Sequence, residues 1–167
     1  MILETERLVI RELTSASDAE FICALLNSPK FRKYIGDRGV RSSDEASVFI
    51  ENRYRQSYRD HGFGLYAVEI RGDGQQIGLC GFVRRDILPG PDIGFAFLPA
   101  YEGQGFGYES AAAMMKFGRD VLSFTTIFAI TSPDNDVSGH LLEKLGFDFE
   151  RFIDNDNETL KLFSSAC

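Results

Sequence analysis

The sequence predicts an α+β fold: a central mixed, mostly antiparallel sheet of about seven strands, flanked by about four helices. Three observations predict it. Strand-period and helix-period segments interleave along the chain, which excludes an all-helical or all-β architecture. Three strand-like runs between residues 63 and 98 are separated only by short Gly/Pro turns, and connections that short join antiparallel neighbours. Strand, glycine-rich bend, helix and strand then follow in direct succession between residues 92 and 131, the order of one parallel crossover unit. The 167 residues are 44% hydrophobic and 26% charged, which suits one domain spanning residues 1–167 with a core built largely from 15 Phe and 6 Tyr.

The elements follow in order. Residues 8–11 (LVIR) make a short strand. Ser17, Asp18, Ala19 and Glu20 have capping-box spacing and open a helix carrying Phe21, Ile22, Leu25 and Leu26 on one face, stopped at Asn27-Ser28-Pro29. Ser42 to Glu45 repeats the start signal for a longer helix through Val48, Phe49, Tyr54 and Tyr58, with Gly62 as its cap. Strands follow at 63–70, 76–85 and 92–98, with turns at Arg71-Gly72-Asp73-Gly74 and Leu88-Pro89-Gly90-Pro91. Pro99 ends the third of these. A helix over 107–121, a strand over 127–131, a short helix over 137–145 closed by Gly146, and a hairpin of 147–153 with 158–163 complete the chain.

Composition excludes several classes of function. The 18 Lys and Arg against 25 Asp and Glu leave a net charge of −7, without the cationic footprint that nucleic acid or an anionic membrane needs. The first use of such a charge is solubility, and an acidic surface favours a cationic or amine-bearing partner. Cys23, Cys80 and Cys167 are widely spaced and lack a CxxC pair, so the sequence predicts neither a disulfide framework nor a zinc site and points to a reducing, cytoplasmic setting. Residues 1–7 lack the apolar run of a secretory signal, and no stretch has the length and apolarity of a membrane span. Asp154 to Glu158 has calcium-loop colour, but its sixth position is Thr159 where Gly is needed, so no metal is expected.

The most informative stretch is Tyr101-Glu102-Gly103-Gln104-Gly105-Phe106-Gly107-Tyr108-Glu109. Side-chain-free positions between a strand and a helix let backbone N–H groups approach a ligand, and the helix N-terminus adds unpaired donors and partial positive charge. The same glycines also suit a tight turn with positive φ. The spacing is neither the GxGxxG of a dinucleotide fold nor a GK[ST] phosphate loop.

In this segment the chain resembles the GNAT superfamily of acetyl-CoA-dependent N-acetyltransferases, whose signature [QR]-x-x-G-x-[GA] aligns with Glu102 to Gly107, with Glu in the first position. It is more specifically similar to the RimJ/RimL-like branch: Glu4-Thr5-Glu6-Arg7-Leu8-Val9-Ile10-Arg11, Ile93-Gly94-Phe95, Glu109, Asn135-Asp136-Val137-Ser138 and Lys144-Leu145-Gly146-Phe147 occur in that branch's order, over residues 3–163. The resemblance implies a sheet splayed between its fourth and fifth strands. The pantetheine arm would pair with the backbone of Phe97 and Leu98, and the pyrophosphate would meet the N–H groups of Gln104, Gly105, Phe106, Gly107 and Tyr108. Asn135 and Ser138 would line the thioester end. It further implies acetyl-CoA as co-substrate, no metal, an amine acceptor that is a protein N-terminus (such as that of a ribosomal protein) or a small molecule, and a monomer or homodimer.

Acetyl transfer needs an unprotonated amine, a polarised thioester carbonyl and a stabilised thiolate. Asp92 is the first candidate for the base and Glu69 the alternative. Many family members carry an acid tyrosine where this chain has Leu142, which leaves Ser138 as the candidate acid. Cys80 sits in an apolar run and reads as core, His61 as surface or cap, and His140 as a weak candidate. The missing tyrosine keeps a second expectation open, a non-catalytic acyl-CoA-binding or regulatory module of the same fold.

Overall fold

A computed structural model describes residues 2–166; Met1 and Cys167, the third of the cysteines counted above, lie outside the described residues. Eight strands form one sheet: β1 (Leu3–Glu4), β2 (Leu8–Arg11), β3 (Leu65–Ile70), β4 (Gln76–Val83), β5 (Asp92–Phe97), β6 (Thr126–Thr131), β7 (Asp148–Asn155) and β8 (Glu158–Ala166). Their spatial order is β1-β2-β3-β4-β5-β6-β8-β7, antiparallel throughout except for the β5–β6 pair. The additional strand is the two-residue β1, paired to β2 through Leu3 with Ile10 and Glu4 with Val9.

The helices are α1 (Ser15–Leu26), α2 (Pro29–Tyr34), α3 (Ser43–Phe49), α4 (Gln56–His61), α5 (Phe106–Asp120) and α6 (Asp136–Lys144). α3 and α4 are joined without a break by a π-helical segment, Ile50–Arg55, so the helical bodies number five. Two local expectations change. α1 begins before Ser17, because Thr14 is its N-cap and accepts from the Ser17 N–H, while the Asp18 carboxylate accepts from the Thr14 N–H and closes the box in return. Pro29 both stops α1 and starts α2, as the first residue of a helix whose N–H would be unpaired in any case. Ser42 and Gly62 cap the 43–61 helix as expected, Gly62 at φ 77°.

Alternation along β3 and β4 divides the core between the two faces of the sheet. Tyr66, Val68, Cys80 and Phe82 face α5 and α6, packing with Met114, Met115 and Leu142. Ala67 and Leu79 face the other way, onto Ile22, Leu25, Ile50 and Tyr54. At the far end Asp156 and Asn157, both with positive φ, make the two-residue turn that joins β7 to β8. Among the described residues no helix is long and apolar enough to cross a membrane.

Candidate active site

The glycine segment becomes a helix start. Gly103 and Gly105 have φ of 72° and 84°, a left-handed conformation that a side chain disfavours, and Gly105 is the N-cap of α5. The first N–H bonded back is that of Glu109, to the Gly105 carbonyl at 3.0 Å, so the amides of Phe106, Gly107 and Tyr108 have no partner one turn earlier. Gly107 lines a cavity of about 800 Å³, and a Cβ there would stand 3.3 Å from Leu141 and 3.8 Å from Phe97. A Cβ on Gly105 would point instead at the Arg7 guanidinium, 3.3 Å away.

Arg7 is the brace of this loop. Its Nε donates to Glu109 Oε1 at 2.6 Å and its backbone N–H to Oε2 at 2.9 Å. Its Nη1 donates to the Gln104 carbonyl at 3.1 Å, and its guanidinium lies 4.3 Å from the centre of the Phe106 ring. Thr5 Oγ1 also donates to Glu109. Burial pushes the Glu109 carboxyl up, but the Thr5 and Arg7 bonds outweigh it and hold the group below its ordinary value. The turn between β1 and β2 thus fixes the loop through its carbonyl and side-chain side and leaves the helix amides free.

β5 and β6 share a single register pair, Asp92 with Phe128, and then part. β4 pairs with all of β5, and Leu98 donates its N–H to the Ile77 carbonyl at 2.9 Å. Bonding alternates along an antiparallel strand, so the backbone groups of Phe95 and Phe97 point away from β4 into the gap. The Phe97 backbone thus faces the gap. The Leu98 N–H is committed to β4, and the Phe95 backbone lies on the open wall. Thr131, at the end of β6, lines the same cavity 8% exposed, and its hydroxyl is the one buried side-chain polar atom without a partner among the described residues.

Asp92 is 1% exposed and accepts from Arg85 Nε at 3.0 Å. Burial pushes its carboxyl up to about 6, even though Arg85 opposes the shift. Ser138 and Asn135 line the cavity at the start of α6, where the Asn135 Oδ1 accepts from the Ser138 N–H at 3.3 Å as N-cap. Leu142, 1% exposed, also lines it. Glu69 does not: it is held by Arg11 at 2.9 Å in a cluster with Asp18, and is not among the cavity's residues. Gln104, Gly105, Phe106 and Tyr108 are not among the cavity's residues, although the amides of Phe106 and Tyr108 lie in the same helix start as Gly107. Cys80 is fully buried, its thiol pushed up to about 12. No cluster of three His, Cys, Asp or Glu suited to a metal ion occurs among the described residues.

Sequence reasoning missed the π-helical segment, which brings Phe49, Arg53, Tyr54 and Ser57 to one cavity wall, and π segments often mark functional sites. It also missed Arg38 and Arg85 on the same wall and the free hydroxyl of Thr131. No periodicity marks these residues; Arg38 lies in a loop and Arg85 just past the end of β4. The assembled cleft offers free helix amides at one end, an unpaired strand edge along its side and a buried carboxylate at the other end. Such a cleft can hold a phosphate, an extended amide-bearing arm and a proton-losing group in line.

The acetyltransferase (GNAT) domain profile matches residues 7–148. The chain is 29% identical over 150 residues to YoaA, an uncharacterized N-acetyltransferase of Bacillus subtilis (strain 168), covering 89% of this chain and 84% of that protein. It is 27% identical over 107 residues to spermidine N(1)-acetyltransferase of Escherichia coli (strain K12), covering 64% and 56%. Its fold is like that of RimL, a ribosomal L7/L12 alpha-N-protein acetyltransferase solved in complex with coenzyme A, with a TM-score of 0.83 at 15% identity over 99% and 97% of the two chains.

Proposed function

The chain belongs to the acetyltransferase (GNAT) domain family, and from that premise we propose that it transfers an acetyl group from acetyl-CoA to a primary amine by direct attack in a ternary complex. The observation that carries the reading is the cleft between β5 and β6, with the α5 amides at one end and Asp92 at the other. Two features fit the donor. A Cβ on Gly107 would intrude on the cradle, and the Thr131 hydroxyl is buried with no partner among the described residues. The motifs at Asn135 to Ser138 and Lys144 to Phe147 support the RimJ/RimL-like branch.

When bound, acetyl-CoA supplies an electrophilic thioester carbonyl and a thiolate leaving group. The amides of Phe106, Gly107 and Tyr108 hold its pyrophosphate with the partial positive charge of the helix start. The open backbone of Phe95 and Phe97 pairs with the amides of its arm as a missing strand would. The acceptor nitrogen forms a bond to the acetyl carbon as the carbon–sulfur bond breaks. Asp92 takes the proton lost by the nitrogen, and Ser138 passes one to the sulfur, regaining its own from solvent.

Magnitudes divide the work. Holding two reactants in line can supply about 7–11 kcal/mol of the barrier. A positioned base adds roughly 10²–10⁴-fold. A carboxylate near 6 takes a proton from an α-ammonium near 8 against only about 2 units, or roughly 3 kcal/mol, so Asp92 is a competent acceptor once attack has begun. Cys80 is outside the cleft and far above the thiolate range, which supports direct attack over an acetyl-enzyme.

The test is thiol release from acetyl-CoA across peptide N-termini, amino acids, polyamines and aminoglycosides. Release that depends on one class supports the reading. A second reading, a non-catalytic acyl-CoA-binding module, is favoured by Leu142, and tight CoA binding with no release from any amine would select it.

A further inference from the structure

The cavity's cations and acids are equal in number, but they are not all paired with one another: Lys30 pairs with Glu102 and Arg85 with Asp92. The protein is at −7, yet Arg38, Arg53 and Arg85 all line the cavity, near enough for Arg53 and Arg85 to act on Arg38, and Arg85 touches Asp92. They come from three separate places: the loop before α3, the π-helical segment, and the chain just past β4. Arg85 is committed to Asp92. Among the described residues, Arg38 and Arg53 have no carboxylate within ion-pair distance. The acids beside them are engaged elsewhere, Asp37 by Arg32 and Arg41, and Glu51 by Arg55. Burial and then the charge of Arg53 hold the Arg38 guanidinium below its ordinary value, with Arg85 acting the same way and Tyr54 and Glu158 opposing.

Phe49 and Tyr54 line the cavity beside Arg38 and Arg53, and Arg53 lies 5.3 Å from the centre of the Phe49 ring. Two unpaired guanidinium forks among aromatic faces match a planar carboxylate attached to an apolar body. They repel a second ammonium, so a polyamine is the wrong charge for this end.

Resting on the acetyl-transfer reading above, we propose that the acceptor is an amino acid with an apolar side chain, its carboxylate held by Arg38 and Arg53 and its amine facing Asp92. The guanidinium charges also lower the pKa of an adjacent amine, which eases loss of its proton to Asp92. The amine nitrogen gains the acetyl carbon, the thiolate leaves and is protonated, and the product is an N-acetyl amino acid with its carboxylate unchanged.

The test compares matched acceptors. L-Phenylalanine, L-leucine, L-methionine and L-tyrosine are each set against their amides and decarboxylated amines, with spermidine as the cationic control. Thiol release is measured on the full chain, and binding is measured by calorimetry on the CoA-loaded protein, so that one readout does not depend on turnover. The proposal expects the best amino acid to exceed its amide and amine by about 10- to 100-fold in kcat/KM, the range of one charge-assisted bond. It expects Arg38→Gln and Arg53→Gln to raise KM for that amino acid by about the same factor and to leave KM for its amide within about twofold. Equal or better use of the amide, the amine or spermidine overturns the carboxylate assignment and leaves acetyl transfer standing. Carboxylate-dependent binding that Arg53→Gln abolishes, with no thiol release from any amine, supports the arginine site and overturns the transfer reading. Absence of carboxylate-dependent binding in both variants and wild type overturns the proposal.

Discussion

Asp92→Asn keeps the shape of a buried side chain and removes its charge, so it separates catalysis from architecture. The carboxyl is 1% exposed and is pushed from 3.8 to about 6 by burial, net of the attraction of Arg85. A shift of about 2 units corresponds to roughly 3 kcal/mol by which the fold disfavours the ionised form. Because the folded-state value is raised, the protonated group's contribution is complete below about pH 4 and lost as pH rises through about 6. Asn can still accept from Arg85 Nε, so near neutral pH the variant is expected to be more stable than wild type by about 1–3 kcal/mol, a rise of some 2–4 °C in Tm per kcal/mol. The gain closes below about pH 4, where wild-type Asp92 is protonated. Activity moves the other way. Wild-type kcat/KM is expected to fall about tenfold between roughly pH 7 and pH 5 as Asp92 takes up its proton, and the variant to lose about 10²–10⁴-fold and that acid limb with it. Thiol release across pH and thermal melts across pH read both effects. Wild-type turnover in the variant refutes the base assignment. A loss of several kcal/mol near neutral pH would show Asp92 to be a structural partner of Arg85.

The two glycines of the cradle should respond differently. Gly107→Ala meets Leu141 and Phe97 at ordinary φ, so CoA affinity by calorimetry is expected to fall about 5- to 150-fold with little change in Tm. Gly105→Ala adds left-handed strain of about 1–2 kcal/mol and points at Arg7, so its main effect is on melting. Glu109→Gln loosens the brace, with Arg7 44% exposed and the pair correspondingly screened, and is expected to cost about 1–2 kcal/mol in chemical denaturation. Because Glu109 is held low in the fold, that difference is present above the carboxylate range and disappears as pH falls through it. Ser138→Ala is expected to lower kcat about tenfold or more with CoA affinity within about twofold of wild type, measured by stopped-flow release and calorimetry.

Much of the frame was legible because local chemistry decides it. Ser42 caps the 43–61 helix, Gly62 ends it, Gly103 and Gly105 take positive φ, and Asp156-Asn157 turn the last hairpin. Asp92, Gly107, Asn135 and Ser138 reach one cavity because a strand, a helix start and a second helix start converge there. The Leu98 N–H is bonded to β4 while the backbone of Phe95 faces the gap, because alternation along a strand flips with every residue and sequence does not fix which parity faces the gap. Glu69 has the right chemistry in a strand, but its side chain belongs to Arg11. The arginine wall was illegible for another reason: Arg38, Arg53 and Arg85 share no local pattern and meet only through a loop, a π-helical turn and the exit of a strand. The whole-chain charge pointed to a cationic acceptor. In the cavity Arg38 and Arg53, unpaired among the described residues, point the other way.

The single β5–β6 pair has a mechanical meaning. The five strands β1 to β5 and the three strands β6, β8 and β7 are two half-sheets joined through Asp92 and Phe128. Asp92, the proposed proton acceptor, therefore sits at the vertex of a wedge. A ligand that spans the wedge completes a hydrogen-bond ladder that the chain leaves open, and its binding energy adds to the cohesion of the halves. Amide exchange at Phe95, Phe97 and along β6 should slow when CoA is present, while the β3–β4 ladder, already complete, stays as it was. On the proposed reading, the donor substrate is also the ninth strand.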